Sequence, residues 1–207
     1  ICEGLVGSEM CIRDRVDGTN SDEFEETVDT YYSSVDFPEG VNMSFSSINL
    51  KGQGFKETHI LSFVSPSSQS LANLRASLSG EKWENYLDLV GPFVENVRVS
   101  AGNATQVYNA EQFYPIGQVW SFKVKSKHVP QFSQAFAKLM QTFEAPGFVG
   151  LANVTHGISN GENLLIYGTY PNLNSAFTFG PKNENEVKAF SVFNDLVGDI
   201  SEFTQSW

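Results

Sequence analysis

The stretch Gly117-Gln-Val-Trp-Ser-Phe-Lys-Val-Lys125, followed by Pro130 and the series Phe132, Phe136, Leu139, Met140 and Phe143, decides the fold. Trp120, Phe122 and Val124 alternate with Val119, Ser121 and Lys123, which is the period of a strand. Pro130 suits the first turn of a helix, where a missing N–H costs nothing. The apolar series recurs at three- and four-residue spacing, so it lies on one helical face until Pro146-Gly147 ends the element. A strand from about Phe148 to Val154, the turn Gly157-Ile-Ser-Asn-Gly161 and a strand from Leu164 to Thr169 read as a hairpin. Val187, Phe190, Phe193, Leu196 and Val197 mark a second helix, and Ile200 to Trp207 a last strand.

Working outward, the same order occurs upstream. Phe24, Val28 and Pro38 recur as Phe132, Phe136 and Pro146 at a spacing of 108, with Tyr32 answered by Met140. Leu61, Phe63 and Pro66 are answered by Leu165, Tyr167 and Pro171 at 104 to 105. A repeat of this length is one small domain, not a solenoid unit. Asn20-Ser21 cap a first helix; Met43 to Leu50 and Ile60 to Val64 form its hairpin around Gly52-Gln-Gly54. Leu71, Leu74 and Leu78 precede a helix bearing Trp83, Tyr86, Leu87 and Val90, and Val97 to Tyr108 supplies a long strand. Strand, helix, two strands, helix, strand is the ferredoxin-like order.

The first copy lacks a convincing opening strand, with only Val16-Asp17-Gly18 before its helix. Upstream stands Met10-Cys-Ile-Arg-Asp-Arg15, which resembles a translated sequencing-library adapter. Residues 1–15 are therefore expected to be an assembly artefact without order and are set aside. The organisation expected is a truncated unit over 16–110 and a second unit over 115–207. The missing strand predicts an unpaired sheet edge and self-association.

Cys2 and Cys11 both lie in the suspect segment, so disulfide, zinc and thiol readings lapse with it. The chain carries 24 acidic and 13 basic residues, a net charge of −11, and 21 against 11 remain after residue 15. Such a field repels phosphate backbones and anionic membranes, which argues against nucleic-acid and membrane partners. No apolar run approaches the length of a membrane helix. Low cysteine, acidity and abundant Ser and Asn favour a periplasmic or extracellular location slightly over a cytoplasmic one.

The element order resembles the tandem members of the dimeric α+β-barrel superfamily, in which two ferredoxin-like units pack antiparallel sheets face to face. The α+β fold class is expected on that basis. The superfamily holds antibiotic-biosynthesis-type monooxygenases, chlorite-dismutase-like haem proteins and dye-decolourising peroxidases. The chain is also similar to tandem proteins of environmental bacteria that place a Gly-rich turn before Thr-His, here Gly52-Gln-Gly-Phe-Lys-Glu-Thr-His59. A tandem chain can close a barrel internally, so a monomer with an internal pseudo-dimer, or a weak homodimer, is expected.

His59 enters a buried-looking strand and is the candidate catalytic residue, an acid or base near neutral pH. Counting 104 residues on places Asn163 opposite it, so the fold does not demand histidine there. His128 and His156 read as solvated or structural. No metal-ligand spacing, nucleophile elbow or phosphate loop occurs. The Gly-x-x-Asp-Gly pattern of the peroxidase relatives is absent, so no cofactor is expected. With 17 Phe and 3 Trp, large side chains on sheet faces could line an apolar pocket. Phe63, Trp120 and Tyr167 are its expected walls, and a small apolar ligand its expected occupant. Two functions follow: noncatalytic binding of a small apolar or aromatic molecule or a structural role, or a cofactor-independent monooxygenase-like enzyme acting on an aromatic or lipid-like substrate.

Overall fold

A computed structural model describes residues 7–207. Cys2 and the rest of residues 1–6 lie outside the described residues. Two compact units follow one another, Gly7–Gly102 and Asn103–Trp207.

The N-terminal unit runs β1 (Ser8–Val16), α1 (Ser21–Tyr32), β2 (Asn42–Ser47), β3 (His59–Ser65), α2 (Ser68–Ser77), α3 (Glu81–Val90) and the first part of β4 (Val94–Tyr108). Its strands lie in the order β2-β3-β1-β4, with β1 and β2 each antiparallel to β3. The C-terminal unit has the remainder of β4, then β5 (Ile116–Val124), α4 (Val129–Met140), β6 (Val149–His156), β7 (Leu164–Tyr170), α5 (Leu173–Phe177), α6 (Glu184–Val197) and β8 (Ser201–Ser206). Its order is β4-β6-β7-β5-β8, and β5 pairs antiparallel with both β7 and β8. The chain is thus an α+β protein of two ferredoxin-like units.

Two expectations are corrected. The opening strand is present, because Ser8–Val16 pairs along β3 from Ser8↔Ser65 to Asp14↔His59. Residues 8–15 are therefore ordered, and the unpaired edge and the self-association argued from it fall away. The physical reason is alternation: Met10 and Ile12 pack on the core and Val16 is buried in it, which is the period a strand needs. The unit boundary also differs, falling between Gly102 and Asn103 where the sequence suggests 110–115. Strand β4 runs without interruption from 94 to 108, so no loop marks the division.

Each unit buries one face of its sheet under helices. Phe24, Val28, Tyr32, Leu61, Phe63 and Leu74 centre the first core. Phe132, Phe136, Leu139, Leu151, Leu164 and Phe193 centre the second. The hairpin between β6 and β7 turns on Gly157, Asn160 and Gly161, all with positive φ, a conformation Gly and Asn adopt most readily.

Candidate functional site

His59 opens β3 on the helix-covered face and is 2% exposed. Its Nε2 lies 3.0 Å from Glu25 Oε1 and 3.1 Å from Ser21 Oγ, both on α1. Its Nδ1 lies 2.9 Å from Thr58 Oγ1. A carboxylate can only accept, so Nε2 carries the proton, and in the neutral ring Nδ1 accepts from the threonine hydroxyl. Phe45 stacks on the imidazole at 5.7 Å and Phe24 tilts against it at 5.0 Å. Glu25, 40% exposed in its side chain, also accepts from Ser47 Oγ at 2.9 Å. Burial pushes the Glu25 carboxyl up, but the hydrogen bonds from His59 and Ser47, the His59 charge and Ser21 together hold it below its usual range.

The sheet registers correct the alignment of the copies. Asp14 faces His59 across β1 and β3, and Phe122 faces Leu164 across β5 and β7. With Asp14 and Phe122 related by 108, His59 corresponds to Leu164 and not to Asn163. Side-chain bonding agrees. Asn163 Oδ1 accepts from the Val124 N–H at 2.9 Å, and Thr58 Oγ1 accepts from the Val16 N–H at 3.0 Å, so Thr58 is the partner of Asn163. Where the C-terminal unit packs Phe122 on its core and buries Leu164, the N-terminal unit buries an acid and an imidazole.

Asp14 is 8% exposed, and among the described residues its carboxylate has no hydrogen-bond partner. Burial pushes this carboxyl up to about 6. Tyr32 and Tyr86 share a hydrogen bond nearby, and burial, with the Asp14 charge as a further cause, pushes both phenols up. Sequence reading missed Asp14 because it lies in the segment set aside.

Of the three expected pocket walls, Trp120 and Tyr167 share a unit but not a face of its sheet. Phe63 is fully buried between Tyr32 and Phe37. Trp120, half-buried, packs on Phe179 on the helix-covered face of its sheet. Tyr167 lies on the opposite face, grouped with Phe148 at 5.9 Å and Phe113 at 6.0 Å. Phe113 is 56% exposed. Gly117 leaves room for this group, since a Cβ there would stand 2.8 Å from the Tyr167 hydroxyl. Of the strand lysines, Lys123 pairs with Glu202 at 3.2 Å. Among the described residues no three His, Cys, Asp or Glu side chains gather as metal ligands, and no helix is long and apolar enough to cross a membrane.

A surface groove of about 280 Å³ opens in the C-terminal unit, floored by Tyr108, Met140, Phe143 and Ala145 and rimmed by Asn109, Gln112 and Glu144. No motif announces it.

Neither a protein-family model nor a curated protein matches the chain. Solved structures do. A proposed monooxygenase from Fusobacterium nucleatum is similar with a TM-score of 0.68 at 13% identity, over 98% of this chain and 90% of that one. A proposed monooxygenase from Lactobacillus acidophilus NCFM gives 0.66 at 12%, over 98% and 93%. An anthrone oxidase-like protein gives 0.58 at 11%, over 99% and 91%. What these chains share is the fold. At such identities, residue roles do not transfer with it.

Proposed function

We propose that this chain is a tandem ferredoxin-like protein that binds a small apolar or aromatic molecule without converting it. One observation carries the reading: the His59 imidazole is enclosed, although its partner Glu25 reaches the surface. Both ring nitrogens are engaged, Phe24 and Phe45 lie against the ring, and the residue is 2% exposed. A general base must come within hydrogen-bond reach of the proton it takes, and here that reach is occupied by the protein's own groups. The partly exposed rings of Phe113, Phe148 and Tyr167 offer a flat ligand an aromatic face instead, with Trp120 beside Phe179 a second.

The alternative is a cofactor-independent monooxygenase-like enzyme acting on an aromatic or lipid-like substrate, with His59 as its polar participant. It is favoured by the histidine standing where the other unit has leucine, and by the names of the similar structures. Anthrone is the discriminating probe. Under the first reading, anthrone raises the melting temperature, is recovered unchanged in air, and gives the same shift with His59→Leu. Oxygen consumption that is stoichiometric with anthrone and lost in His59→Leu would replace it with the second.

We also infer that residues 1–15 are foreign to the protein, although 8–15 fold into place. Asp14 stands at the position of Phe122, and Arg13 Nε is buried without a partner among the described residues. These are the marks of a strand that fits by period but not by chemistry.

A further inference from the structure

One residue lining the groove of the C-terminal unit, Ala145, stands where the N-terminal unit carries a ring. The spacing of 108 relates Phe37 to Ala145, and the sheet registers relate Phe63 to Gly168. In the N-terminal unit Phe37 packs on Tyr32 at 6.5 Å and on Phe63 at 6.4 Å, filling the space beyond the end of α1. In the C-terminal unit a methyl group replaces that phenyl, and Ala145, with Met140 at the end of α4, lines the groove of about 280 Å³.

Its walls are preorganised. Asn109 holds a left-handed backbone with φ of 53°, which costs energy in a residue other than glycine. Its side-chain amide donates to Ala145 O at 3.3 Å and Gly147 O at 3.1 Å. Gln112 N–H closes the turn onto Asn109 O at 2.8 Å, and Gln112 O accepts from Phe148 N–H at 2.8 Å. A rim fixed before binding lowers the entropic cost of taking a ligand.

The electrostatics select the sign of that ligand. The groove lies at the C-terminal end of α4, where helix carbonyls leave a partial negative charge. Glu144 is exposed on the rim and forms no ion pair among the described residues. The basic groups nearby do not line it: Lys138 is exposed on the last turn of α4, and Lys182 borders the adjoining hollow. Tyr108, partly exposed, supplies ring surface and Met140 a polarisable thioether, while Phe143 is buried behind them against Phe179 and Phe190; a ring and a thioether suit a weakly hydrated cation.

We propose that this groove binds a small organic cation, an ammonium group carried on a flat apolar body. The site is separate from the aromatic face of Phe113, Phe148 and Tyr167, so either assignment can fail without the other.

Benzyltrimethylammonium is the probe and benzyl alcohol its neutral counterpart, titrated against full-length protein while methionine-methyl NMR and calorimetry are followed. The Met140 methyl is expected to shift saturably while Met10 and Met43 stay still. Benzyl alcohol should bind about tenfold more weakly, and Glu144→Gln should weaken the cation about fivefold. Ala145→Phe, which restores the ring of the other unit, should abolish binding while the remaining methyl spectrum stays native. A Met140 signal that does not move, equal binding of the alcohol, or full binding by a folded Ala145→Phe variant would each overturn the assignment.

Discussion

At the scale of single residues, His59 shows what the second copy can teach about the first. Leu164 occupies the same place, buried in its core, so the fold accepts leucine there. His59→Leu is therefore expected to change stability by less than about 1 kcal/mol, because partly exposed Glu25 and Ser21 can turn to solvent. His59→Ala leaves a hole beside Phe24 and Phe45 and should cost about 2–3 kcal/mol. Urea unfolding of both variants checks this, and a leucine variant less stable than the alanine one would contradict it. The sequence locates His59 at the mouth of a buried strand correctly, but it assigns the wrong counterpart. Spacings of 104 and 105 are equally plausible from the apolar pattern, since a single residue in a loop absorbs the difference. Yet a shift of one along a strand moves every side chain to the other face. Only the register distinguishes a buried leucine from an asparagine tied to Val124.

At the scale of elements, β1 is the most informative strand. Helices α1, α3, α4 and α6 and both hairpins are legible from periodicity, including the stripe of Phe132, Phe136 and Leu139, whereas the shorter α2 and α5 are not. By contrast, β1 is invisible, because an acid at position 14 breaks the apolar face its counterpart shows through Phe122. Burying Asp14 has a defined pH signature. Its carboxyl is pushed up to about 6 in the fold, against about 3.9 in an unfolded chain. Between those values the folded state holds more protons on Asp14 than the unfolded one, so the contribution of this group to stability falls as pH rises from about 4 to 6 and is flat above. The full effect is on the order of 3 kcal/mol. Burial pushes Glu9 up as well and adds to the slope with the same sign. The groups facing Asp14, namely His59 on β3, Tyr32 on α1 and Tyr86 on α3, are unchanged by substitution at position 14. Chemical denaturation of Asp14→Asn across that range should remove most of the slope. Asp14→Phe should remove it and raise stability at pH 7 by about 2 kcal/mol or more. A difference between the wild-type and Asp14→Asn profiles that does not fall from pH 4 to 6 would show that Asp14 is not buried as a free acid.

For the whole molecule, charge is the property that sequence alone states completely. With a net charge of −11, like-charge repulsion opposes the folded state, and among the described residues few ion pairs offset it. Arg15–Glu95 and Lys123–Glu202 are solvent-facing pairs, worth at most about 1 kcal/mol each and weakened by salt. Arg98–Glu57 differs, because the Glu57 side chain is only 6% exposed at a contact of 2.9 Å, and a buried pair is screened far less. Two effects therefore compete when salt is added: loss of a few weak surface attractions, and relief of a diffuse repulsion among 24 acidic groups outnumbering 13 basic ones. The second should win, since it involves the larger number of uncompensated charges. Raising sodium chloride from about 0.05 to 0.5 M shortens the Debye length from roughly 14 to 4 Å and is expected to lift the melting temperature by about 2–5 °C. Potassium chloride should give the same increment, because screening depends on ionic strength and not on the cation. A melting temperature that falls with salt would mean that the exposed ion pairs outweigh the net charge, and that acidity here serves attraction between specific groups more than it opposes folding.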